Sequence, residues 1–203
     1  RDQYTWKSDS SQLLRKAQLR WGSNLFHGGI LFLFFGHLFG QLTPHGLYEI
    51  FVTASQKQLI AVVAGGVAGG LCFIGLTMLL HRRLFDPRIR LTSHRTDIAI
   101  LVILWVQLVI GLSTLPASLH HVSDPQTMLR LAEYLQGIAL FQPNAALVAG
   151  VEWHFQAHMV LGMTIFLLFP FSRLVHVWSG LASVFYVLRP FQVVRGRRMN
   201  LPK

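Results

Sequence analysis

Residues 58–80 read QLIAVVAGGVAGGLCFIGLTMLL, a run without one charged side chain. A helix that crosses a bilayer needs ~20 predominantly apolar residues in succession, so this run decides the class of the protein. Three more predominantly apolar runs lie at 24–42, 97–117 and 155–177. The sequence therefore predicts an all-α integral membrane protein, with four transmembrane helices in a single membrane domain covering 1–203. The first run is short, but it ends cleanly at Thr43-Pro44, because proline disfavours helix in the residue before it. Gly65, Gly66, Gly69 and Gly70 lie inside the second run. Small residues four apart let a neighbouring helix, or a flat cofactor, approach closely, and both readings stand.

Composition agrees. Of 203 residues, 52% are hydrophobic and only 13% charged, with a mean hydropathy of +0.46, where a soluble domain carries about a quarter charged residues. The net charge of +10 does not mark a nucleic-acid binder, because the basic residues flank the apolar runs instead of forming one stripe. Arg1, Lys7, Arg15, Lys16 and Arg20 precede the first run. Arg82, Arg83, Arg88, Arg90 and Arg95 join the second to the third, and Arg189, Arg195, Arg197, Arg198 and Lys203 follow the fourth. That places 15 of 18 basic residues on one side, against Lys57 and Arg130 on the other, with Arg173 inside the last run. The positive-inside rule then puts segments 1–23 and 178–203, and so the C-terminus, in the cytoplasm of a cell whose inner membrane holds the chain. The one long outer connection, 118–150, carries Met128, Leu131, Leu135 and Ile138 at helical spacing, which predicts an amphipathic helix on the outer surface.

The single cysteine, Cys72, excludes a disulfide framework, a zinc pattern and a CxxCH attachment, so any haem is held without a covalent link. Ten histidines are present. His27 and His37 fall in the first run, and His158 and His176 in the last. An ionisable residue inside a membrane helix is costly and marks function by default. For a lone histidine three bland roles compete: a neutral imidazole bonded to a neighbouring helix, a proton relay, or an interfacial anchor. Two plus two on antiparallel helices is a different pattern. Haem iron takes axial imidazoles, and a bundle supplies one from each side. Antiparallel spans pair the cytoplasmic His27 with His176 and the outer His37 with His158. From His158 to His176 is 18 residues, roughly 27 Å and five full helical turns at 1.5 Å per residue. From His27 to His37 is 10 residues, roughly 15 Å by the same rise, so the helices must tilt, with a kink expected at Pro170. His154, four residues before His158, is a rival ligand at the membrane edge. His45, His81, His94, His120 and His121 read as surface residues.

Several segments now resemble one family. They are Ser23-Asn24-Leu25-Phe26-His27, Gly36-His37-Leu38-Phe39-Gly40, Leu42-Thr43-Pro44-His45 and Arg82-Arg83-Leu84-Phe85. His158-Met159-Val160-Leu161-Gly162-Met163 and Leu168-Phe169-Pro170-Phe171-Ser172-Arg173-Leu174-Val175-His176 complete the set. In that order they are similar to the cytochrome b (gamma) subunit of membrane-bound respiratory nitrate reductase. The resemblance implies quinol oxidation near the outer face, with menaquinol or ubiquinol as substrate. It implies electron transfer through two b haems to an iron–sulfur (beta) subunit and a molybdenum (alpha) subunit that reduces nitrate. It assigns His27, His37, His158 and His176 as the haem ligands and Gly36, His37 and Lys57 to the quinol site. It also implies a further transmembrane helix before Arg1, giving five.

The residues themselves add three readings. Lys57 is the basic residue of the outer loop between the first two spans. It either snorkels to the interface or donates a charge-assisted hydrogen bond to a quinol oxygen. Gln107, polar in the middle of the third span, needs a hydrogen bond inside the membrane, expected from a neighbouring helix. Arg173 either meets a haem propionate or snorkels. Two rival functions remain: a diheme anchor for a hydrogenase, formate dehydrogenase or sulfite-reducing complex, and a haem-free transporter using histidines as proton relays.

Overall fold

A computed structural model describes residues 19–177; the predictions for segments 1–18 and 178–203 lie outside the described residues. Among those described, four helices are long and apolar enough to cross a membrane. They are α1 (Leu19–Leu42), α3 (Ala54–Phe85), α5 (Arg95–His120) and α7 (Trp153–Leu168), the last extended by a 3₁₀ turn at Phe169–Phe171. Three shorter helices connect them: α2 (His45–Tyr48), α4 (Pro87–Thr92) and α6 (Gln126–Ala139). The fold is all-helical, as the apolar runs predict.

The helices outrun the apolar stretches that foretold them, because hydropathy marks the lipid-facing part while caps mark where the backbone stops. The second span, expected at 58–80, begins at a capping box. The Thr53 hydroxyl accepts the Gln56 amide at 3.3 Å, and the Thr53 amide donates to Gln56 Oε1 at 3.0 Å, satisfying two amides that a helix start leaves unpaired. The helix then runs 32 residues to Phe85, roughly 48 Å against a hydrocarbon core of ~30 Å, so its ends project. Asp86 turns the chain by accepting the Arg88 and Ile89 amides at 3.1 and 3.5 Å, and Pro87 starts α4. The first span is already helical at Leu19, the first described residue, ahead of the expected 24, and the third runs 95–120 rather than 97–117.

The fourth span departs most. Expected as one helix over 155–177, it ends at Leu168 and continues as 3₁₀ turns at Phe169–Phe171 and Arg173–Val175. Pro170 has no amide to donate and its ring crowds the preceding turn, so the expected kink is a break. Ser172 between the turns is extended (φ −119°, ψ 173°), and its hydroxyl accepts the Leu174 amide at 3.3 Å. The five regular turns expected between His158 and His176 are therefore not present.

The spans pack in series: α1 on α3, α3 on α5, α5 on α7. Cys72, Leu76 and Leu108 form the core, with Phe26, Leu33 and Trp105 packed around them. Close approach of α1 to α3 depends on Gly29 and Gly75. A Cβ at Gly29 would stand 2.7 Å from Cys72 Cβ, and one at Gly75 would collide with the Phe26 backbone. These two, more than the Gly65–Gly70 group, are the packing glycines; of that group Gly69 is tight, against Leu112. Neutral side chains stitch α3 to α5: Gln58 Nε2 donates to Ser118 O at 2.6 Å and Trp105 Nε1 to Thr77 Oγ1 at 3.0 Å. The amphipathic helix expected in 118–150 is α6, with Leu131 buried and Gln136 Nε2 donating to Gln41 O at 2.8 Å at the end of α1.

Candidate functional site

α1 and α7 make no extensive contact with each other; the packing that holds them apart runs through α3 and α5. Across that separation two pairs of histidines face one another. The ring centres of His27 and His176 lie 6.2 Å apart, and those of His37 and His158 lie 6.1 Å apart. Chain direction produces this pairing, since α1, which carries His27 and His37, runs opposite to α7, which carries His158 near its start, and to the 3₁₀ turns that lead on to His176. The first pair lies at the end where α3 finishes with Arg82 and Arg83. The second lies at the end where α3 begins.

The tautomers are set locally. His27 Nδ1 lies 2.8 Å from Ser23 O, His37 Nδ1 2.7 Å from Leu33 O, and His176 Nδ1 2.6 Å from Arg173 O. A carbonyl can only accept, so in each case Nδ1–H donates and Nε2 keeps its lone pair. Metal-binding histidines are oriented in this way. His158 is held differently. Gln107 Nε2 donates to His158 O at 3.0 Å and stands 3.5 Å from His158 Nε2, while His158 Nδ1 is buried without a partner among the described residues. The ring lies flush on α5 because residue 111 is glycine: a Cβ there would sit 2.6 Å from His158 Cε1. Gln107 thus finds its hydrogen bond on a neighbouring helix, as its place in mid-span required.

Two imidazoles bound to opposite faces of one iron, at about 2 Å per nitrogen–metal bond, have ring centres roughly 6 Å apart. Both pairs fit that spacing. Among the described residues no group of three or more His, Cys, Asp or Glu converges as a metal cage. Each pair supplies two donors, the number a metal requires when a macrocycle supplies the other four.

Lys57 lies in the first turn of α3, not in the loop before it, since the Thr53 cap starts the helix earlier than the apolar run implied. Its Nζ rests 3.5 Å from the centre of the Tyr48 ring, a cation–π contact worth about 0.5–2 kcal/mol. The Tyr48 hydroxyl is buried without a hydrogen-bond partner among the described residues. Burial first, and the nearby Glu49 carboxylate second, push its pKa upward, so it stays neutral beneath the lysine. A Cβ at Gly36, beside His37, would meet no atom within 4 Å, which leaves bare backbone on an open face. His154 Nε2 stands 2.9 Å from Glu152 Oε2 at the start of its own helix, so the rival histidine is turned to a carboxylate.

Arg173 is neither buried in a helix nor simply turned to solvent. It sits in the second 3₁₀ turn and meets Asp97 on α5, Nη1 to Oδ2, at 3.0 Å. Arg83 approaches the same oxygen at 3.6 Å and donates to Ser93 Oγ at 3.0 Å. Asp97 is nearly buried, with its side chain 7% exposed; a carboxylate there is tolerated only when paired. Reading the sequence missed this cluster. Its signal was present, since Asp97 is the sole acidic residue of the third apolar run and the preceding loop is rich in arginine.

Comparison with known proteins bears on what this geometry serves. The family described as the nitrate reductase gamma subunit matches residues 1–197. The respiratory nitrate reductase 1 gamma chain of Escherichia coli (strain K12) is 48% identical over 196 residues, which cover 96% of this chain and 86% of that one. Its respiratory nitrate reductase 2 gamma chain is 50% identical over 197 residues, covering 97% and 86%. The nitrate reductase gamma chain of Bacillus subtilis (strain 168) is 37% identical over 198 residues, covering 97% and 87%. Four membrane-length helices together with a family match over nearly the whole sequence lead to one conclusion: the chain belongs to the nitrate reductase gamma subunit family and is a membrane subunit of a respiratory nitrate reductase.

Proposed function

We propose that this subunit oxidises quinol at its outer end and passes the electrons inward through two bis-histidine b haems. They leave to an iron–sulfur subunit, which feeds the molybdenum subunit where nitrate is reduced. The observation that carries the reading is the pair of facing imidazole couples, 6.2 and 6.1 Å between ring centres, on segments of chain that are otherwise held apart. His27 and His176 hold the inner haem, and His37 and His158 the outer one. Bound there, haem iron supplies reversible one-electron chemistry. The protein supplies orientation and electrostatics. Three backbone carbonyls fix the Nδ1–H tautomer of His27, His37 and His176, and Gln107 and Gly111 seat His158.

At the outer end, Lys57 swings from the Tyr48 ring on its flexible stem and donates to a quinol oxygen. The cation favours the developing negative charge as the quinol loses its protons. Gly36 leaves room beside His37 for a flat ring. The basic end faces the cytoplasm, where the exposed Arg88 and Arg90 offer a docking surface to the iron–sulfur subunit, while Arg82 is buried and Arg83 is held by Asp97 and Ser93. An electron moving inward against 100 mV stores about 2.3 kcal/mol, and releasing the quinol's protons outside adds to the conserved gradient. Lys57 on the Tyr48 ring at the end of α3 nearer His37 and His158, and the arginines at its other end, support this direction.

The test is pyridine haemochrome analysis of the purified complex, with reduction by a quinol analogue followed in the visible spectrum. Two b haems per chain, both reducible by quinol, are expected. One haem or none in the chain would overturn the reading in favour of histidines acting as relays or packing groups.

A further inference from the structure

We infer that Asp97 is a positioning residue for the inner histidine pair: by gripping Arg173 it fixes the backbone carbonyl that orients His176. This rests on the reading that His27 and His176 hold a haem. The need for such a device comes from the fold. α7 stops at Leu168, and His176 follows two 3₁₀ turns separated by the extended Ser172. No continuous α-helical ladder therefore carries His176 from α7 to its partner on α1. Nor is α7 itself deeply seated, for none of its residues is buried.

What ties this segment down is a chain of polar contacts. Arg173 Nη1 donates to Asp97 Oδ2 at 3.0 Å, and His176 Nδ1–H donates to Arg173 O at 2.6 Å. One residue therefore receives the carboxylate on its side chain and the ligand's proton on its backbone. Asp97 is itself held. It lies in the first turn of α5, where the helix dipole favours an anion, and Arg83 approaches it from α3. Arg83 also donates to Ser93 Oγ, and that hydroxyl donates to the carbonyl of the fully buried Ile89 at 2.7 Å. The carboxylate thus joins three parts of the chain, the end of α3, the start of α5 and the segment bearing His176. Two guanidiniums on one carboxylate also leave a net positive charge beside the inner pair.

The intact complex in membranes tests this by EPR and redox titration. Asp97→Asn keeps the shape of the side chain but removes its charge. The inner haem's low-field signal should move and its midpoint potential should rise, since two arginines are no longer balanced, while the outer haem keeps its parent values. Asp97→Glu should bring the inner signature back towards the parent, which a mere loss of packing would not predict. Should Asp97→Asn fail to assemble, Arg173→Lys serves in its place, with a displaced inner signal again expected. Parent values for both haems, or equal changes in both, would overturn the proposal. A parent complex in which His176→Ala leaves every haem signal in place would instead overturn the ligand assignment on which it rests.

Discussion

The two histidine pairs have the same ring spacing but are held by different physics. At the inner end, His176 follows two 3₁₀ turns secured by an ion pair, Asp97 with Arg173, and by a second arginine. At the outer end, His158 sits in a regular helix and is secured by a neutral amide, Gln107, and by close contact with Gly111. Their neighbourhoods explain the difference. Asp97 lies at the first turn of its helix next to an arginine-rich loop, where charges can be paired and partly solvated. Gln107 lies in the middle of the same helix, where a charge would be costly but an amide can satisfy itself on an adjacent backbone. The lesson is that one ring spacing can be assembled from whichever interaction the local dielectric tolerates.

The largest effects should come from the ligands. His27→Ala or His176→Ala should remove the inner haem, and His37→Ala or His158→Ala the outer one, taking haem content from two to one per chain. Loss of the same haem from His27→Ala and His158→Ala would break the comparison outright. The imidazole planes cross at 72° in the inner pair and 42° in the outer. More strongly crossed axial rings give a more anisotropic ferric signal, so the resonance lost from the inner variants should be the one at lower field.

Lys57→Ala should follow in size. Both haems stay, since lysine is no ligand in this arrangement, but quinol should bind and react less well. A charge-assisted hydrogen bond contributes about 1.5–3 kcal/mol, which corresponds to roughly tenfold to hundredfold. Lys57→Arg should recover part of it, because a planar guanidinium presents its donors differently. Stopped-flow reduction at the parent rate would return Lys57 to an interfacial role on Tyr48.

Gly111→Ala sharpens the contrast between the pairs. Its new Cβ meets the His158 ring, and such overpacking costs about 1–3 kcal/mol, so outer-haem occupancy should fall while the inner haem is retained. Equal loss of both would mean that the variant disturbs the bundle rather than one seat. Gln107→Leu should have the smallest effect. Interhelical hydrogen bonds in membranes average about 0.6 kcal/mol, so a modest shift of the outer haem's potential is expected, with full haem content by absorbance.

The fold class and the candidate site were readable in different ways. Apolar runs declared four spans because a bilayer admits helices of one minimum length and little else. Antiparallel spans with two histidines each then dictated which histidines meet. Motifs around His27, His37, His158 and His176 carry the family likeness in the sequence itself. Lys57 was legible as the basic residue between the first two apolar runs, but not its place in a helix or its rest on Tyr48, because the Thr53 cap lies upstream of the hydropathy signal.

From the amino-acid order alone follow the solvent, the number of spans, the family and the pairing of the histidines, since each depends on period, length or direction along the chain. Only the tertiary structure decided how the pairs are held. Asp97 and Arg173 are 76 positions apart, and Gln107 and His158 are 51 apart. Contacts at that separation depend on how helices rotate about their own axes and where a proline breaks one of them. Hydropathy is blind to that rotation in a chain whose outward faces are as apolar as its core.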